Sequence, residues 1–174
     1  MPDSSLSQAI KEAYASAPAD EVILHTIELR HQAFTVPIRV VNDHADLTAT
    51  LEATAPENPG QAVLFQGYAF DFQPPDVDGP RPEIILTIDN VSREITKNIE
   101  AATISGAPVE LTYRPYLSTD LSGPQMNPPL TLDIIGIEAS MLTVTAHAAF
   151  GDLGSKRFPS EDYTAERFPG LVGQ

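Results

Sequence analysis

Between Pro82 and Ser105 the hydrophobic pattern changes period once, and that change predicts the central element of the chain. Ile84, Leu86 and Ile88 alternate with Ile85, Thr87 and Asp89, a period of two that predicts a strand. Past Asn90 the apolar positions become Val91, Ile95, Ile99 and Ala102, which share one face of a helix over 91–104. Asn90 is placed to cap that helix, Glu94 suits its first turn, and Gly106 suits its C-terminal stop. A strand feeding straight into an amphipathic helix lays that helix against a sheet.

The other patterns are nearly all of period two. Glu21–Arg30 and Val36–Val41 predict a hairpin, and Leu47–Glu52 predicts a shorter strand. Ala62–Gln73 reads as one long strand presenting Leu64, Tyr68, Phe70 and Phe72 on one face. Gly67 inside it marks a bulge or a close backbone approach. Val109–Leu117 also alternates, and Pro115 within it argues for an edge or a bulge. Leu130–Glu138 and Met141–Phe150 predict a closing hairpin in which Leu130, Leu132 and Ile134 meet Leu142, Val144 and Ala146. Residues 74–82 and 118–129 are rich in proline and polar groups and read as exposed loops. Near the N-terminus, Ser5 and Gln8 form a capping-box pattern for a helix over Ser5–Ala17 with the stripe Leu6, Ile10, Ala13 and Ala17. That stripe is too thin for a helix stable alone, so it must pack on the domain or on a neighbour.

The expected fold is α+β and mainly antiparallel β. An N-terminal helix within 1–19 precedes a mainly β domain over 20–150 that includes the 91–104 helix. Residues 151–174 have neither period and read as an extended arm. The arm carries Arg157-Phe158-Pro159 and Arg167-Phe168-Pro169, with Tyr163 between them. Aromatic anchors, forked donors and a proline-stiffened backbone suit a segment that lies on a surface. These seven residues are the candidate protein interface.

Charge narrows the partners. With 24 acidic and 10 basic residues the formal net charge is −14, a field that repels phosphate backbones and argues against nucleic-acid binding. A channel through which DNA slides is nevertheless better lined with negative than with positive charge. Cysteine is absent, which excludes disulfides and thiolate chemistry. The start, MPDSSLSQAI, has no basic region or long apolar run, so no signal peptide is expected, and no stretch is long enough to cross a membrane as a helix.

The residues that carry chemistry do not assemble into a known pattern. His25, His31, His44 and His147 have no metal-ligand spacing, and two of them fall within predicted strands. No nucleophile elbow, phosphate loop, dinucleotide turn or calcium loop occurs. Asp71, Asp76, Asp78 and Glu83 form an acidic patch about the first long loop, read as a solvated tip. No enzymatic activity, metal or cofactor is expected.

Five blocks in a fixed order carry a resemblance: Ile38-Arg39-Val40-Val41-Asn42, Leu47-Thr48-Ala49-Thr50-Leu51-Glu52, Ile88-Asp89-Asn90-Val91-Ser92-Arg93-Glu94, Val109-Glu110-Leu111-Thr112-Tyr113-Arg114-Pro115-Tyr116-Leu117, and the span from Arg157 through Tyr163 to Leu171. Together they resemble a family of tailed-bacteriophage and prophage proteins catalogued as a domain of unknown function, encoded among tail-tip genes. The resemblance implies a tail-tube-like β-sandwich with a flanking helix, forming a structural ring or hub at the distal tail. It implies partners in other copies of the chain, with a hexamer first and a trimer second. Further implied partners are the tail-tube, tape-measure and central tail-fibre proteins, within a virion assembled in the host cytoplasm. The alternative is a receptor- or carbohydrate-binding β-sandwich module of the tail tip.

Overall fold

The computed structural model describes residues 6–16, 21–73, 83–89, 97–98, 102, 107–140 and 143–149. Among the described residues a helix, α1 (Gln8–Ser16), precedes nine strands: β1 (Ile23–Arg30), β2 (Ile38–Val41), β3 (Leu47–Thr50), β4 (Ala62–Gly67), β5 (Phe70–Gln73), β6 (Glu83–Asp89), β7 (Val109–Leu117), β8 (Leu130–Ala139) and β9 (Thr143–Ala149). They form one sheet in the order β3-β4-β2-β1-β7-β8-β9-β6-β5. Neighbours are antiparallel except β2 and β4, which pair in parallel at Val40–Gln66 and Val41–Gly67. The expected mainly antiparallel α+β class is present. The two layers come from one continuous sheet rolled over its own apolar face.

Two observations require the roll. Phe72 on β5 stacks on Tyr113 of β7 with ring centroids 5.3 Å apart, although four strand spacings separate them in the sheet order. In a flat sheet those spacings amount to roughly 19 Å at about 4.8 Å each. The chain also passes from β4, beside β2, to β5, at the opposite edge, through Tyr68 and Ala69 alone. Alternation supplies the face that closes inward. Ile27 and Leu29, Ile38 and Val40, Leu111, Leu132, Ile84, Leu86, Ile88, Phe70, Val144, Ala146 and Ala148 are all buried in one cluster. Each fully buried large aliphatic or aromatic side chain there contributes about 1.5–3 kcal/mol.

Of the helix expected over 91–104, Lys97, Asn98 and Ala102 are helical, and Ala102 is buried in the same cluster. The remainder, with the cap Asn90 and the stop Gly106, lies outside the described residues, as do the loop 74–82 and the arm. The N-terminal helix packs on its own domain, with Ile10 and Ala13 against Leu117 and Ile23. Its cap is Ser7, whose Oγ accepts from the Ile10 amide at 3.2 Å and donates to Gln125 at 2.6 Å. Ser5 lies outside the described residues.

Several expectations are corrected. Ala62–Gln73 is two strands, and on β4 Val63 and Phe65 are buried while Leu64 is exposed. β7 is internal, yet Pro115 costs no ladder bond, because pairing with β8 stops at Tyr113 and the Pro115 carbonyl accepts from Gln125 on that side. Residues 118–129 are not a free loop: backbone bonds tie Leu121 to Thr50 and Gln125 to both Pro115 and Ser7. In the β8–β9 hairpin an irregularity between Ile134 and Gly136 shifts the register, so Ile134 faces Ala148 and Ala139 faces Val144.

Gly67 is the close approach that its position implied. A Cβ there would lie 2.9 Å from the Asp43 carbonyl oxygen and 3.0 Å from the Ala45 carbonyl, and its amide donates to Asp46 at 2.9 Å. Gly67→Ala should therefore destabilise the fold by about 1–3 kcal/mol through overpacking against backbone. Gly123→Ala, whose Cβ would meet nothing within 4 Å, should stay within about 0.5 kcal/mol of the parent. Urea denaturation midpoints of the two variants check this.

Candidate functional site

On the outer face of β1, β2 and β7, the β3–β4 hairpin covers a small second core of Val41, Ala49, Leu51, Val63, Phe65 and Tyr116. Beneath it lies a closed network of four charges. Arg114, fully buried, donates from Nε and Nη2 to both Glu52 oxygens at 2.8 Å each, and from Nη1 to Glu28 at 3.3 Å. Arg39 donates from Nε to the other Glu28 oxygen at 2.6 Å and from Nη2 to Asn58 at 3.0 Å. Two guanidinium groups thus meet two carboxylates, and the forked geometry of arginine suits such paired bonding. Asn58 holds the left-handed backbone, φ 53°, that asparagine tolerates better than most residues, which turns its side chain toward Arg39. Tyr116 adds a bond from its hydroxyl to the Thr50 carbonyl at 2.9 Å.

The electrostatics match the geometry. Burial acts to raise the Glu52 pKa, but hydrogen bonds and charge from Arg114 outweigh it and hold the carboxyl below its usual range. Burial likewise works against the Arg114 cation, and its bonds to Glu52 with the Glu28 and Glu52 charges leave it more firmly protonated than usual. A carboxylate saturated by guanidinium donors is a poor proton acceptor. This quartet is a staple between the hairpin and the sheet.

The histidines are dispersed. His25 shares a 2.7 Å hydrogen bond with the Tyr113 hydroxyl, and burial lowers its pKa. His31 is buried beside Phe34 and accepts from the Ala33 amide, His44 is exposed, and His147 sits within β9. Among the described residues, no three His, Asp or Glu side chains are grouped so as to hold a metal ion.

A groove lies where β2 and β4 fork. Their parallel pairing ends at Val40–Gln66, and the strands diverge toward Val36 and Ala62, enclosing about 530 Å³. Val36 and Leu64, 62% and 53% exposed, are apolar side chains on its walls. Asn58, Gln61, Gln66 and Asn98 supply amides, and among the described residues that line it Arg39 is the one charged group. The Leu51 amide bonds to the Gln61 carbonyl, so alternation turns the main-chain groups of Ala62 and Leu64 away from β3, toward the groove. The Asn42 amide bonds to His25 on β1, so the same alternation turns the Arg39 main chain toward β4.

The family described as "Domain of unknown function (DUF1833)" matches residues 9–163. The chain belongs to the DUF1833 family. No curated protein matches the chain. The DUF1833 match spans the whole sheet, from within α1 past the end of β9, and takes in the first Arg-Phe-Pro repeat and Tyr163.

All seven candidate interface residues of this DUF1833 protein, Arg157, Phe158, Pro159, Tyr163, Arg167, Phe168 and Pro169, lie outside the described residues. So do Asp76 and Asp78 of the acidic patch, while Asp71 sits on β5. What sequence reasoning missed is the quartet and the groove. Glu28, Arg39 and Arg114 were legible only as polar positions on faces that alternation directs outward.

Acid should weaken the fold in two steps. The folded-state pKa values of His25 and Glu52 lie below their usual 6.5 and 4.5, so the unfolded chain takes up each proton first as pH falls. Stability should decline once the pH drops below 6.5 and decline again below 4.5. Urea titrations across this range should find the upper decline reduced in His25→Asn. An unchanged upper decline would remove His25 as its cause.

Proposed function

We propose that this DUF1833 protein is a structural subunit of the distal tail of a long-tailed bacteriophage, forming a ring or hub that joins the tail tube to the tip complex. The observation that carries the reading is where the resemblance blocks fall. Arg39, Glu52 and Arg114 belong to three of the five blocks, and they meet in one buried staple. A family pattern concentrated on holding a hairpin against a sheet is what a scaffold requires. The strongly acidic chain suits a wall past which DNA slides without adhering. Closed rings need heterologous, complementary surfaces on each subunit, and an aromatic arm with a receiving groove would supply such a pair.

Ring neighbours under this reading are other copies, six first and three second, with the tail-tube, tape-measure and central tail-fibre proteins above and below. Assembly takes place in the host cytoplasm. A glycan-binding module would want an aromatic platform. Among the described residues the groove offers one aromatic ring, Tyr68, and the chain has no Trp, so the ring reading is preferred.

Sedimentation velocity on the full chain and on a chain ending at Phe150 tests the reading. The full chain should sediment as a closed oligomer, and the shortened one should shift toward monomer with unchanged far-UV circular dichroism. A full chain that stays monomeric at every concentration, alone and with the tail-tube protein added, contradicts the proposal.

A further inference from the structure

We infer that the fork between β2 and β4 receives the C-terminal segment of a neighbouring copy as an added strand, anchored by the phenylalanines of its Arg-Phe-Pro repeats. The inference rests on the ring reading and names the surface through which copies would join.

The groove is built for an extended chain. Ala62 and Leu64 turn backbone donors and acceptors into it, and Arg39 turns its amide there. Among the described residues the two strands have no ladder partner for these groups beyond Val40–Gln66. Exposed main-chain edges of this kind take up extended segments, with backbone bonds supplying affinity and alternate side chains supplying specificity. The flanking Val36 and Leu64 are aliphatic surface that remains exposed in the single chain.

The choice of occupant follows from charge, length and composition. Two copies of a chain with net charge −14 repel wherever carboxylates face one another, and the described residues that line the groove include none. Twenty-five residues follow Ala149. Extended, they reach roughly 80–90 Å, about twice the roughly 40 Å width of a domain this size, so they can reach past their own domain. Their proline content suits a strand that pairs fully with one neighbour only. With Phe158 or Phe168 turning its backbone toward β4, the following proline turns toward β2, where the Arg39 amide calls for an acceptor and not for a donor.

Because the chain contains no cysteine, single-cysteine variants report on this contact directly. Leu64→Cys chains mixed with Phe158→Cys or Phe168→Cys chains, then mildly oxidised, should form disulfide-linked heterodimers. With docking raising the local concentration toward millimolar, their yield should exceed that of an Ile135→Cys control by about tenfold. Ile135 is 56% exposed and lies outside the groove. A yield no higher than the control overturns the inference, as does a disulfide that forms only within one chain carrying both cysteines. The mass of the full chain, measured in parallel, separates the two readings. An oligomer without the Leu64 cross-link leaves the ring reading standing and refutes the docking site, whereas a chain monomeric at every concentration, alone and with the tail-tube protein added, refutes both. Leu64→Lys, an exposed change the fold should tolerate, should reduce oligomer without altering circular dichroism, and full assembly of this variant also overturns the inference.

Discussion

The buried ion quartet of Arg114, Glu28, Glu52 and Arg39 is the constraint on which the outer half of the fold depends. Its members come from β7, β1, β2 and the connection just past β3, so one set of contacts ties the hairpin to three strands. Burying charges is costly, and a quartet of this kind contributes less net stability than its distances suggest. Its effect is to make alternatives expensive, because removing one partner strands the others at a typical cost of about 3–5 kcal/mol. The β3–β4 hairpin therefore has one place to sit. The apolar patch around Phe65 and Tyr116 then packs beneath it.

The groove follows from that placement. Gly67 is pinned under the loop carrying Asp43 and Ala45, which holds β4 beside β2 for two residue pairs. Farther along, Glu52 and Asn58 draw the hairpin toward Arg114 and Arg39, and the strands separate. A fold packed on its inner face thus presents on its outer face a fork whose backbone groups have no ladder partner among the described residues. In the proposed assembly the same staple that orders the hairpin also shapes the surface offered to a neighbour.

Elements governed by local period were legible in the sequence, and features governed by register were not. Ile84, Leu86 and Ile88 alternate and are buried as alternation requires, and the β1–β2 hairpin follows its pattern. The burial parity expected along Ala62–Gln73 failed because the chain leaves the sheet at Gly67 and re-enters at the opposite edge. The two strands therefore keep separate parities: Phe70 and Phe72 share the inner face as expected, but Leu64 does not join them. The closing hairpin slipped at an irregularity between Ile134 and Gly136, beside the one glycine within β8, a signal the alternation pattern overrode. Arg114 lies diagonal to Glu28 across the β1–β7 pairing, where Thr112 is the direct partner. No spacing within either strand reveals that pair. The tethers of residues 118–129 are backbone bonds, which composition does not record.

Hydrogen–deuterium exchange on Arg114→Met, compared with the parent at one pH, tests this account most directly. If the quartet holds the hairpin, amides of β3 and β4 should lose protection first, while those of β6, β8 and β9 keep theirs. Unchanged protection over 47–50 and 62–65, or an equal loss across every strand, would contradict the claim that the charged staple places the hairpin and opens the fork.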